Sequence, residues 1–428
     1  MKKKFTIALV LLINVCAIGQ QVVSSNADAG ANTLRNAIAA ATNGQTITFA
    51  TGMANQTITL ASTLEIPVAK SLIIDASNAP KLTISGNNAV RIFLVRSTSV
   101  NPTSLTLKSL TMTKGFTNEN GGAVKSEHQG KIIIDNCLFT YNNAEQGGSA
   151  IFSAFEGRTV ITNSKFDNNV SIAKNTERGS TVMLWGPLSQ TIQKSDFTNN
   201  KGINGAAING LNAGMLVEDC NFINNTTANA FFDTGKDNDF LRGYGGAIYA
   251  DRATAGPPST ALGSIIVRRS KFEGNIGQSD GGAMYLYTDE TDNVLIEDCY
   301  FNNNEAKLLS GTRGGGGGAI EQMNNAKNKG FVVRNSTFSN NSAAVNGGAI
   351  RADWADTDIS NCTFYNNKAL QTKSDGYSAN GGALVTFSMT NSTVNVTNCT
   401  FANNYAGWVG GAICSDKVNT KIKNNIFH

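Results

Sequence analysis

Two acids and a base, Glu321, Asp353 and Arg351, occupy matching positions in consecutive copies of a Gly-Gly-Ala-Ile segment. Glu321 follows Gly317-Gly318-Ala319-Ile320 directly, while Arg351 and Asp353 stand one and three residues past Ile350 of the next copy. In an extended strand these positions share the face opposite the apolar residue. If the copies stack, Glu321 and Asp353 are diagonal neighbours about 8 Å apart, a separation at which one carboxyl can protonate a glycosidic oxygen while the other activates water. With Arg351 they form the catalytic set of a polysaccharide lyase or glycoside hydrolase reading. The equivalent positions of earlier copies hold Tyr249, Asp251, Tyr285 and Tyr287, whose rings suit stacking on sugars. Together with Arg351 and Asp353 these make a candidate ligand-binding face. Against catalysis, the Asn-Thr-Asp, Asp-Asp, His-Gly and Arg-x-Lys signatures of a polygalacturonase-like enzyme do not occur together, and Tyr, Asp and Arg are ordinary on a solvated sheet.

Such a set works only if the copies stack in register. The Gly-Gly-Ala-apolar segment starts at Gly121, Gly245, Gly281, Gly317, Gly347, Gly381 and Gly410, with degenerate copies near Ile151, Val182 and Ile208. Between copies stands a second motif, clearest in Asn361-Cys362-Thr363-Phe364-Tyr365-Asn366-Asn367. Its phenylalanine recurs as Phe139, Phe166, Phe197, Phe222, Phe272, Phe301, Phe338, Phe364, Phe401 and Phe427. A Cys, Ser or Asn stands two residues before each, and an Ile or Val three residues earlier still. A spacing of three breaks the strand period of two, so a corner must separate the two inward sets. Its second residue is usually Asn or Asp, such as Asn136, Asn163, Asp219 and Asn335, types that tolerate a left-handed backbone. Stacked, these residues are expected to form a ladder of side-chain hydrogen bonds. Each repeat then reads as three short strands and three turns. The fold class is all-β, a right-handed single-stranded parallel β-helix with a short N-terminal capping helix.

Met1 to Lys4, an apolar run to Val15 and the small-residue site Ala17-Ile18-Gly19 predict a secretory signal peptide over residues 1–19. No stretch approaches the ~20 apolar residues of a membrane-spanning helix. Residues 20–120 are expected to hold the cap, with helical spacing of Leu34, Ala37, Ile38 and Ala41, and irregular first rungs. Residues 121–428 hold about ten rungs, the last stopping at Phe427-His428 before its Asn-Asn turn, as a truncated chain would. A net charge of +4 with no basic stripe argues against nucleic acid as a partner. Cys137, Cys220, Cys299, Cys362 and Cys399 fall at the inward position that Ser takes elsewhere and are expected to be small buried side chains. Only Cys362 and Cys399 lie in adjacent rungs, the one place for a disulfide, and Cys414 is expected outward and unpaired. Two histidines and no ligand-spaced cysteines leave zinc without a site, and no cofactor is implied. The weak calcium candidates are Asp233, Asp237 and Asp239 in one loop and Asp289, Glu290 and Asp292 in another, both equally readable as solvated turns.

With its Gly-Gly-Ala-Ile and Phe-x-Asn-Asn elements over residues 121–428, the chain resembles the polymorphic outer-membrane protein repeat family of secreted bacterial β-helix proteins. Residues 22–50 are similar to the cap that opens many large extracellular β-helix proteins. The resemblance implies surface adhesins and no catalytic residue. The expected function is therefore a non-enzymatic secreted or cell-surface protein, adhesin-like or structural, binding an extracellular glycan or a host or neighbour-cell protein through its outer face. Attachment to the surface would fall to a missing C-terminal module.

Overall fold

The computed structural model describes residues 21–172, 178–186, 188, 190–227, 243–254, 263–308, 314–371, 379–387 and 392–428, without the side chains of 325–329. Every strand pairing within the sheets is parallel, and each strand meets its counterparts in the preceding and following repeats, which is the connectivity of a parallel β-helix. The phenylalanine strands form one 13-stranded sheet. Ile58, Ile84 and Met112 take the Phe position in its first three strands, so the N-terminal rungs continue the same register. The Gly-Ala-Ile and Ile/Val strands belong to a single 24-stranded sheet, because in the later rungs they run together as Ile320–Arg334 and Ile350–Ser360.

The inward columns follow from the spacing. Phe139 through Phe427 stack with ring centroids 4.7–5.1 Å apart and planes within 8° of parallel. The rung repeat imposes that distance, since free aromatic pairs favour offset or edge-on contacts. The phase break is real. The corner residue is left-handed at every rung from Lys81 to Asn424, with φ between 46° and 61°. The five cysteines are buried and unpaired, and Cys362 N–H donates to Cys399 Sγ at 3.4 Å in the place where Cys137 N–H donates to Ser164 Oγ. Cys414 is half-buried.

Two expectations need correcting. The rung has a fourth, two-residue strand after the Asn-Asn turn, as in Ser342–Ala343, which builds its own seven-stranded sheet. The continuous asparagine ladder also lies there rather than at the Asn136 corner. Asn142, Asn169, Asn200, Asn225, Asn275, Asn304, Asn341, Asn367 and Asn404 are linked by Nδ2-to-Oδ1 bonds of 2.9–3.1 Å. Each Nδ2 also donates to a backbone carbonyl of the preceding rung, and each of these Oδ1 atoms after the first also accepts a backbone N–H, as from Asn304 to Asn341. All four hydrogen-bonding sites of a fully buried amide are thereby filled. The exposed corner supports only scattered bonds, such as Asn361 Nδ2 to Asn335 Oδ1 at 3.2 Å.

At the N-terminus Leu34–Ala40 is helical, capped by Thr33 Oγ1 accepting from Asn36 N–H, and Leu34, Ala37 and Ile38 join the core. Among the described residues no helix is long and apolar enough to cross a membrane.

Candidate functional site

The outward face of the Gly-Ala-Ile strands carries two columns. One runs Asn209, Tyr249, Tyr285, Glu321, Arg351, Val385, Cys414, and the other Leu211, Asp251, Tyr287, Met323, Asp353, Phe387, Asp416. Glu321 is therefore the direct neighbour of Arg351 and the diagonal neighbour of Asp353, as the spacing predicts. Their surroundings are not. The expectation of a solvated face is overturned for Glu321 (0% exposed), Tyr249, Asp353 and Tyr285 (5% or less), while Asp251, Tyr287 and Arg351 are partly covered.

The glycine pair explains the cover. Gly317 has a φ of 62°, and a Cβ on Gly318 would lie 2.1 Å from the carbonyl oxygen of Gly348, so at this rung the tight reversal against the next one needs glycine at both positions. The reversal folds the residue before each pair back over the strand that follows. Tyr244 thus stacks on Tyr285 at 4.3 Å, and Asp280 accepts the Gly316 N–H at 2.9 Å. Gly316 itself leaves no room for a side chain, since a Cβ would stand 2.7 Å from Arg351 Cδ and 2.8 Å from Glu321 Oε2.

Under this cover, Arg351 Nη2 pairs with Asp353 Oδ2 at 2.7 Å, and Nη1 lies 3.6 Å from Glu321 Oε1 and 3.9 Å from Asp280 Oδ1. Three carboxyls face one guanidinium. Neither Glu321 oxygen meets an N–H or O–H donor, and its contact with Asp280 joins two carboxyls, which bond only while one of them holds a proton. Burial holds the Glu321 carboxyl well above its ordinary range; Arg351 opposes the shift, and Asp280 and Asp353 add to it. Burial raises Asp353 as well, against Arg351. Burial works against the charge on Arg351, but Glu321, Asp353 and Asp280 outweigh it and hold the guanidinium charged. The cluster can keep a proton and fix a cation, but it presents neither carboxylate to a sugar in this arrangement.

Sequence reasoning missed Tyr244 and Asp280. Their shared place immediately before a glycine pair was the available signal. Of the calcium candidates, Asp233, Asp237 and Asp239 lie outside the described residues. In the other loop Asp289 Oδ1 accepts from Thr291 N–H and Oγ1, and Asp292 Oδ2 accepts from Asp289 N–H. Burial moves the Asp292 carboxyl up to about 6. Glu290 lies on the turn between them, and among the described residues no cluster of three or more metal-binding side chains exists.

Residues 219–251, 335–353 and 398–416 match the Chlamydia polymorphic membrane protein repeat. Each match begins on a left-handed corner residue, Asp219, Asn335 or Asn398, and ends in the second outward column, on Asp251, Asp353 or Asp416. A probable autotransporter, YfaL of Escherichia coli (strain K12), is 35% identical over 148 residues, 33% of this chain and 11% of the relative. The matched stretch is thus about a tenth of that protein. The crystal structure of PfbA, a surface adhesin of Streptococcus pneumoniae, aligns at a TM-score of 0.45 and 13% identity over 81% of this chain and 92% of that one. Three stretches of the chain thus carry the Chlamydia polymorphic membrane protein repeat, each set on the same part of a rung.

Proposed function

We propose that this chain is an exported, non-enzymatic rod, adhesin-like or structural, that binds an extracellular glycan or protein through its outer face at the cell surface. The repeat family and the autotransporter relative support the location, as does the basic and apolar N-terminal run. The single observation that supports a non-enzymatic role is the closure over Glu321, Arg351 and Asp353: both acids are buried and tied to one arginine. A general acid must reach the leaving oxygen, and Glu321 reaches Arg351 and Asp280 instead. Incubation with a panel of acidic and neutral polysaccharides tests the reading. Binding without product release is expected, whereas release abolished by Asp353→Asn would overturn it.

One observation favours the second reading, a polysaccharide lyase or glycoside hydrolase. A carboxyl held protonated near neutral pH is what a general acid requires, and Glu321 has that property. On that reading Glu321→Gln abolishes product release, and the segment around Gly316 must open to admit substrate.

A further inference from the structure

An open groove of about 460 Å³ follows the corner before the phenylalanine-column strands across five successive rungs, from that of Ile84 to that of Phe197. The left-handed corner residues along it are Lys81, Ser109, Asn136, Asn163 and Lys194, with Lys165 beside them. Four rung steps separate Lys81 from Lys194, about 19 Å at the spacing of parallel strands. Ser77 and Ser109 hydroxyls are 3.2 Å apart, and Asn136 Nδ2 donates to Ser109 Oγ at 3.0 Å, so hydroxyls and amides line the corner between the lysines, with Ser77 Oγ and Asn163 Nδ2 also donating to Asp75 and Asp135 beside it.

The charge along this column changes character with position. Farther along, Glu218 and Asp219 pair with Arg268 and Arg269 of the next rung, and Glu297 with Arg334. There the corner neutralises itself. In the groove, Lys81, Lys165 and Lys194 form no ion pair within 4.0 Å among the described residues; Lys165 draws on Asp167 from farther off, and the one lining carboxylate, Asp196, stands opposite Lys165 in the sheet register but accepts from Asn221 Nδ2 at 2.7 Å. Lys81 and Lys194 also keep φ values of 61° and 48° at a position where asparagine is the less strained choice. Arg269 shares that backbone and is compensated by Asp219, but the two lysines have no such compensation, and strain kept without local return points to a ligand.

We infer that this groove binds an acidic polysaccharide in extended form, its anionic groups on Lys81, Lys165 and Lys194 and its hydroxyls on the serine and asparagine side chains between. An acidic peptide fits less well, because the corner N–H groups of Asn136 and Asn163 already donate to Thr162 and Gln193 and offer no main-chain pairing. Single-stranded nucleic acid would need aromatic platforms, and none lines the groove. The inference rests on the reading of the chain as a binding rod and gives that rod a ligand class and a place away from Glu321.

The test uses polygalacturonate and heparin as acidic probes and dextran as the neutral one, with the full chain and the triple variant Lys81→Asn, Lys165→Gln, Lys194→Asn. The two asparagines restore the preferred corner residue, so the variant should unfold at the same temperature or a higher one. The wild type should bind an acidic probe with an affinity that falls as salt is added, and the variant should bind it at least about tenfold more weakly. Binding by the variant within about twofold of wild type would overturn the inference, as would wild-type binding to dextran alone or to none of the probes. Release of saccharide product would instead overturn the non-enzymatic reading.

Discussion

Arg351 Nη2 and Asp353 Oδ2 lie 2.7 Å apart on one strand, with the arginine's other terminal nitrogen 3.6 Å from Glu321 on the strand before. One guanidinium thus serves carboxyls on two rungs, and the shortfall of positive charge falls on Glu321.

That shortfall makes stability depend on pH with a definite sign. The folded Glu321 carboxyl is raised above its unfolded value, so its contribution is complete below the ordinary glutamate value of about 4.3 and is lost as pH rises through the raised folded value. Glu321→Gln keeps the shape and removes the titration. Thermal unfolding at pH 4, 6 and 8 should find the variant gaining on wild type as pH rises, by more than about 1 kcal/mol over that range. Parallel curves would contradict the assignment.

Asn341 sits mid-ladder, fully buried. Asn341→Ala leaves the Asn304 backbone N–H and one of its two side-chain N–H groups without an acceptor and takes the second donor from the Phe301 carbonyl, at about 1–3 kcal/mol for each buried donor left unpaired. Hydrogen exchange should rise in the rungs holding Asn304 and Asn367 before it rises near Asn142, because a solenoid couples only neighbouring repeats.

The phenylalanine column should show graded costs. Phe338 is wholly buried between Phe301 and Phe364, and Phe338→Ala should cost about 3–5 kcal/mol. Phe427 is 52% exposed and stacks on one side only. Denaturant titration of Phe427→Ala should show well under half the loss, and equal losses would refute the stacking account.

Thiol labelling separates the cysteines. Burial pushes Cys137, Cys220 and Cys299 up to about 12, so a thiol reagent at pH 8 should modify half-buried Cys414 first and these three only on unfolding. Cys137→Ser should change stability by less than about 1 kcal/mol, since Ser164 fills the same position one rung on. Rapid labelling of Cys137 in the folded protein would place it outside the core.

The inward architecture was legible because each inward column uses nearly one residue type. The spacing of the Ile/Val, Cys/Ser and Phe positions dictates the corner and its left-handed backbone. The two asparagines of the Asn-Asn turn look alike in sequence, yet only the second is buried. The left-handed residue before it, such as Asn366 at φ 54°, reverses the facing and turns Asn367 inward. Chemical tolerance was the usable difference: the corner admits Lys194 and Arg269, whereas the ladder position is asparagine at all nine rungs from Asn142 to Asn404. The cover over Glu321 was hidden for another reason. Asp280 and Gly316 make it, as Tyr244 covers Tyr285 one rung earlier, and the three share a position but no chemistry, so no column of like residues announces it.

The amide ladder also gives the molecule a direction. From Asn142 to Asn367 each side chain hands its N–H to the rung after it and accepts from the rung before it where that rung carries an asparagine. The amide-to-amide bonds therefore all point one way along the axis, while the second N–H of each amide points back to a carbonyl of the rung before. A folded stretch of this chain ends in a row that donates on its C-terminal side and accepts on its N-terminal side. At this one position the two ends are chemically different templates: the C-terminal end offers an N–H that seeks an acceptor, and the N-terminal end an oxygen that seeks a donor.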